Sequence, residues 1–100
     1  MRVIGGKYRH RLLQWPDDAK HIRPTKDRIR EAIFNALGNI EGMTILDLYS
    51  GSGSMGIEAL SRGAKHATFV DINRVALSTT KNNILSLKVP NNEYQILGME

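Results

Sequence analysis

The sequence predicts a doubly wound α/β fold, in which parallel strands alternate with helices. Three observations carry this. The run Thr44-Ile45-Leu46-Asp47-Leu48-Tyr49 reads as a strand that enters the glycine-rich turn Ser50-Gly51-Ser52-Gly53-Ser54-Met55-Gly56. The next apolar run ends in Asp71, twenty residues past Gly51. Helical patterns then alternate with strand patterns, which is how βαβ units appear in a sequence.

Taken in order, Arg2-Val3-Ile4, Gly5-Gly6 and Lys7 to Trp15 read as a small β-hairpin with Gly-Gly as its turn. Period-two spacing would put Lys7, Arg9 and Arg11 on one face of its second strand, interleaved with Tyr8 and Trp15. Pro16-Asp17-Asp18-Ala19 is a loop, and Pro24 keeps Arg23 extended. Thr25 is a good N-cap and Asp27 suits a first turn, so a helix is expected from Lys26 to Leu37, stopped by Gly38. Ile29, Ala32, Ile33, Ala36 and Leu37 make its apolar stripe, with Arg28, Glu31 and Asn35 as a polar row beside it. Phe34 lies off the stripe centre, where it either edges the core or faces a ligand cleft; core is the usual case.

Strand one is Thr44–Tyr49, and a helix follows from near Ser54 to Arg62 with Gly63 as its stop. Strand two is His66–Asp71. A second crossover helix spans Arg74 to Leu87, ahead of Pro90 and Asn91-Asn92, and strand three is Glu93–Leu97. Right-handed crossovers give strand order 3-2-1, an incomplete Rossmann-like sheet preceded by a hairpin and a helix. Residues 1–24 form a basic hairpin and arm, and residues 25–100 the first half of a cofactor-binding domain.

One hundred residues allow one domain, and with no cysteine there is neither a disulfide framework nor a thiolate metal site. His10, His21 and His66 share no metal-ligand spacing, so no metal is expected. Apolar runs are too short for a bilayer span or a signal peptide, which leaves a cytoplasmic protein without membrane partners as the expectation. The net charge of +4 is uneven: residues 1–30 hold nine Lys/Arg against three acids, residues 31–100 five against seven. A basic arm on a mildly acidic domain suggests a polyanionic partner, nucleic acid before membrane, although a solvated basic face has the same composition.

Gly51 and Gly53 allow a tight turn and close backbone approach to a ligand. A carboxylate at Asp71 can accept from both hydroxyls of a ribose. Asp47, four residues before Gly51, chooses between cofactors. A dinucleotide would bring a pyrophosphate to the turn, where a nearby acid is unfavourable. S-adenosylmethionine brings an ammonium and a sulfonium, and an acid suits both. A P-loop is excluded because Ile57 follows Gly56 where a lysine is required.

Three runs in register carry a family resemblance: Arg23-Pro24-Thr25-Lys26-Asp27-Arg28-Ile29-Arg30-Glu31-Ala32-Ile33-Phe34-Asn35, Leu46-Asp47-Leu48-Tyr49-Ser50-Gly51-Ser52-Gly53, and Gly56-Ile57-Glu58-Ala59-Leu60-Ser61-Arg62-Gly63-Ala64. With the opening Met1-Arg2-Val3-Ile4-Gly5-Gly6-Lys7-Tyr8 and Ala67-Thr68-Phe69-Val70-Asp71, the chain resembles the bacterial 16S rRNA guanine-N2 methyltransferases of the class I S-adenosylmethionine-dependent fold. The resemblance implies methyl transfer to the exocyclic N2 amine of a guanine in ribosomal RNA or a small-subunit particle. It implies a cofactor site from Asp47, Tyr49, Gly51, Ser52, Gly53, Asp71, Ile72 and Glu100, with Met99 or Glu100 beside the adenine. Lys7, Arg9, Arg11 and Arg23 are candidates for phosphate contacts, and Thr25 and Arg28 for lining the cleft.

Members of that family are nearly twice as long and hold the target amine in an Asn/Asp-Pro-Pro-Tyr/Phe segment after their fourth strand. This sequence has no Pro-Pro pair, so no catalytic residue is assigned and the 100-residue chain is expected to be inactive alone. A non-catalytic RNA- or cofactor-binding module is the alternative. An NAD-dependent dehydrogenase fragment is disfavoured by Asp47 and the basic arm. The free edge of strand one is expected to make the isolated chain self-associate.

Overall fold

The computed structural model describes residues 1–14, 27–48 and 50–98. The element order is α1 (Asp27–Leu37), β1 (Thr44–Leu48), α2 (Ser54–Ser61), β2 (His66–Asp71), α3 (Arg74–Ser86) and β3 (Tyr94–Gly98), the last preceded by a single 3-10 turn, Asn91–Glu93. The strands form one parallel sheet in the order β1-β2-β3, the order expected from the sequence. Leu46 pairs with Thr68 and Leu48 with Val70, while Phe69 pairs with Ile96. The element boundaries agree with the sequence reading to within a residue at the described ends. Lys26, Tyr49 and the Thr25 cap lie outside the described residues.

Two right-handed crossovers in the same direction place α2 and α3 on one face of the sheet. There Ala67 and Phe69 of β2 are buried with Ile57, Leu60, Ile84, Leu87 and Val89, and Val3 and Leu13 of the N-terminal arm complete the cluster. Alternation puts Thr44, Leu46 and Leu48 on the opposite face. No described element covers it, and Leu46 and Leu48 remain 63% and 57% exposed.

The helix α1 departs from the expected packing. The stripe Ile29, Ala32, Ile33, Ala36 and Leu37 faces outward, and the helix docks instead through Arg30 and Phe34, one turn apart. Phe34 packs on Ile40, Ala59 and Ala64, which settles it as core, and the Arg62 guanidinium lies over its ring. The buried face is rotated by one residue, about 100°, from the apolar stripe. The reason is Arg30, which is fully buried because its charge is matched there. Its Nε donates to Glu58 Oε1 at 3.1 Å, and its guanidinium also reaches Asp27 and the Arg2 carbonyl.

Glu58 is the centre of this arrangement. Besides Arg30, its carboxylate accepts from Ile4 N and Gly5 N at 2.9 Å each and from Arg62 Nε at 2.8 Å. The residues before the arm's turn are thereby clamped to α2. Lys7 N donates to Ser61 O and Tyr8 N to Ser61 Oγ, which fixes the turn itself on the end of the same helix. Among the described residues the hairpin pairs Arg2 with Leu12 in antiparallel register, with Val3 N donating to Arg11 O and Leu13 N to Met1 O, and residues 5–10 form a broad turn rather than a two-residue one. Lys7, Arg9 and Arg11 therefore do not share a strand face. The clamp on Glu58 and Ser61 shapes this segment more strongly than local strand pairing.

That no described residue covers the outer face or pairs with the free edge of β1 has a measurable consequence. An unpaired edge beside exposed leucines templates association. The 100-residue chain is expected to sediment as a dimer or larger at micromolar concentration, and Leu46→Lys with Leu48→Lys to return it towards monomer. A sharp monomer boundary for the unaltered chain would refute this.

Candidate cofactor site

The glycine-rich turn, Asp47 and Asp71 converge at the C-terminal end of the sheet, where open α/β sheets hold ligands. Gly53 adopts φ 83°, and a Cβ there would lie 2.8 Å from Thr80 Cγ2, so glycine is required both by conformation and by space. Its N–H donates to Ser50 O at 2.8 Å and closes the turn. Asp71, at the tip of β2, accepts from Gly51 N at 3.0 Å through Oδ2 and from Asn73 N at 2.9 Å through Oδ1. It is not the cap of α3: Asn73 takes that role, with Oδ1 accepting from Val75 N and Ala76 N. A carboxylate offers about four acceptor positions, so two bonds to the backbone leave Asp71 able to accept from a ligand. Ile72 beside it is 62% exposed and offers an apolar flank.

Asp47 accepts from Gly56 N at 3.1 Å, which ties the strand to the first turn of α2. Burial pushes its carboxyl up to about 6; the Gly56 bond works against this and the Asp71 charge adds to it. Above about pH 6 this acid is mostly ionised in spite of its burial, and a cation beside it would favour that charged form. Ser50 Oγ is buried with no hydrogen-bond partner among the described residues.

Two residues that the sequence reading missed support the turn from α3. Thr80 Oγ1 donates to Gly51 O and Asn83 Nδ2 to Ser52 O, each at 2.9 Å. Both are buried polar residues three apart, on the face that also carries Ala76, Ile84 and Leu87. Small polar residues within an otherwise apolar helical face are the signal that could have found them.

Of the predicted cofactor residues, the structure brings together Asp47, Gly51, Ser52, Gly53, Asp71 and Ile72. Tyr49, Met99 and Glu100 lie outside the described residues. The predicted RNA residues divide. Lys7 pairs with Glu93 at 3.7 Å, just before β3, and the Arg11 guanidinium donates to Ser86 O at the end of α3. With Arg9 exposed on the same turn, these cations lie at the end of the sheet opposite the glycine turn. Arg28 is exposed on the first turn of α1, and Arg23 and Thr25 lie outside the described residues. Among the described residues there is no cluster able to hold a metal ion, and no helix is long and apolar enough to cross a membrane.

Comparison with known proteins gives this geometry a family. The chain is 44% identical over 90 residues to YlbH of Bacillus subtilis, a candidate rRNA methyltransferase, covering 89% of this chain and 48% of that one. It is 42% identical over 92 residues to ribosomal RNA small subunit methyltransferase D of Escherichia coli, covering 91% and 46%. The solved structure of YhhF from Escherichia coli, described as a candidate methyltransferase, superposes with TM-score 0.86 at 36% identity, over 100% of this chain and 52% of that one. The chain thus spans about half the length of the relatives it matches, and its fold is that of the class I methyltransferases. Residues 1–100 match the family described as conserved hypothetical protein 95 from end to end, and the chain belongs to that family of bacterial rRNA methyltransferases.

Proposed function

We propose that this chain forms the cofactor-binding half of an S-adenosylmethionine-dependent enzyme that methylates the N2 amine of a guanine in small-subunit rRNA. The observation that carries it is the pair of carboxylates, Asp47 and Asp71, bracketing the glycine turn in a chain of this family. The residues present fit the cofactor. Asp71 has acceptor capacity left for ribose hydroxyls, Asp47 can answer a cationic methionine end, and Ser50 Oγ is a buried polar group at the turn with no partner among the described residues. S-adenosylmethionine supplies an activated methyl when bound. Asp47, Asp71 and the glycine turn of this chain would bind and orient it. Lys7, Arg9 and Arg11 would contact phosphates remote from the turn and give affinity without sequence choice. A cytoplasmic location follows from a ribosomal substrate.

Calorimetric titration with S-adenosylhomocysteine tests the reading, with NAD as control. Asp71→Ala is expected to weaken binding roughly ten- to hundredfold, the loss of about 1.5–3 kcal/mol from a charged acceptor. Asp71→Asn, which keeps one acceptor for the backbone, should weaken binding with less effect on melting. Binding of NAD in place of S-adenosylhomocysteine would overturn the reading.

A further inference from the structure

The glycine turn and the N-terminal arm meet at one buried side chain. Asn83, 1% exposed, donates from Nδ2 to Ser52 O at 2.9 Å and to Gln14 O at 3.1 Å, and its Oδ1 accepts from Gln14 N at 2.6 Å. The amide therefore pairs with both backbone groups of the arm's last described residue while holding a carbonyl of the turn. A second thread runs beside it, with Ser52 Oγ 3.8 Å from Met1 Sδ and Met1 O accepting from Leu13 N. Buried amides are costly to leave unpaired, so movement of one segment must be matched by the other. At its far turn the arm is fixed to α2 by Glu58 and Ser61. The contacts form one continuous path from the end of α2 opposite the site back to the turn.

We propose that Asn83 is a positioning residue that couples the arm to the glycine turn. Docking of the arm sets the geometry, and hence the ligand affinity, of the turn, and a ligand on the turn holds the arm in place. The ligand half of this statement rests on the cofactor reading above; the coupling itself is a property of the chain alone. Linkage makes the two directions equal in size.

The arm can be disturbed far from the turn. Gly6 has φ 78°, and a Cβ there would lie 1.9 Å from Ser61 O, so Gly6→Ala lifts the arm's turn from α2. Asn83→Asp keeps the size of the side chain and the acceptor for Gln14 N but removes both donors. Hydrogen exchange is followed by mass spectrometry in the unaltered chain, in each single variant and in the double variant. The amides to watch are Gly53 and Ile57, which bond Ser50 O and Gly53 O.

With Asn83 present, Gly6→Ala should speed exchange at these amides about threefold or more and weaken S-adenosylhomocysteine binding by a similar factor. In the Asn83→Asp background the same change should have less than about a twofold effect. S-adenosylhomocysteine should slow exchange at Val3 and Leu13 only while Asn83 is present. Equal effects of Gly6→Ala in both backgrounds overturn the coupling, however tightly the ligand binds. Exchange coupled through Asn83 in a chain that binds no S-adenosylhomocysteine upholds the coupling and overturns the cofactor reading. Should Gly6→Ala fail to fold, Ser61→Ala, which removes only the hydroxyl bonded to Tyr8 N and Gly5 O, takes its place. Asn83→Ala likewise replaces Asn83→Asp.

Discussion

Glu58→Ala is expected to destabilise the chain by about 3–5 kcal/mol, the usual consequence of removing one partner from a buried ion pair. The substitution takes the Glu58 carboxylate from buried Arg30, which still reaches Asp27, and removes the acceptor by which Ile4 N and Gly5 N hold the arm to α2. For a domain of this size the melting temperature should fall by more than about 12 °C. Glu58→Gln keeps the shape and part of the acceptor set and should lose less. The acid limb of the stability curve gives a second readout. Burial alone would raise the Glu58 carboxyl, but bonds from Ile4, Arg62, Gly5 and Arg30 outweigh it and hold the group below its ordinary 4.5. Its stabilisation is therefore complete above pH 4.5 and is lost as pH falls through the lower native value. Glu58→Gln should flatten that limb. A Glu58→Ala chain melting within a few degrees of the unaltered one would show that the clamp carries little of the fold.

The same residue shows where sequence reasoning reaches its limit. Glu58 stands between Ile57 and Ala59-Leu60, with Arg62 one turn on, and a lone acid inside an apolar run signals a buried partner. The partner Arg30 lies on a different helix, and nothing in the spacing of α1 reveals that a cation faces the core. Periodicity locates that helix to within a residue but selects the stripe Ile29, Ile33 and Leu37, which remains 47%, 38% and 59% exposed. The antiparallel hairpin is present, with Arg2 opposite Leu12, but its turn differs from the expected two-residue one for a related reason. Gly5-Gly6 has the composition of a tight turn, whereas the backbone there is set by contacts with Ser61 and Glu58 more than fifty residues away.

The sheet and the turn are legible because their determinants are local. Strand order follows from crossover handedness, and the positions of Gly51, Gly53 and Asp71 follow from one strand-turn-helix unit repeated. Asp71 stands at a strand tip as expected, yet its bonds to Gly51 N and Asn73 N make it a brace for the turn as well as a candidate ligand group. The α3 supports, Thr80 and Asn83, show in the sequence as polar residues on an apolar helical face, but their partners depend on how that helix lies across a loop, which periodicity does not encode.

Asp47→Asn is expected to stabilise the chain above pH 6, by up to about 3 kcal/mol, while weakening cofactor binding. Asp47 rises from 3.8 to about 6, chiefly because burial penalises its charge, with Gly56 N opposing and Asp71 adding to the effect. Between those two values the folded chain keeps a proton that the unfolded chain has lost. The contribution of Asp47 to stability therefore falls as pH rises through this window, and the full cost of ionising it is present above pH 6. Asparagine imitates the protonated acid and still accepts from Gly56 N, so its advantage should appear above pH 6 and vanish near pH 4. Ligand binding should show the opposite preference. A cationic methionine end favours ionised Asp47, so affinity of the unaltered chain should rise with pH through about 6, with a proton released on binding below it. Asparagine should abolish that rise. Thermal melts and calorimetry at pH 4, 6 and 8 separate the two effects. An Asp47→Asn chain that melts lower than the unaltered one at pH 8 would mean that the fold stabilises the Asp47 carboxylate. The acid would then be a structural brace for α2, and its claim to the cofactor would rest on position alone.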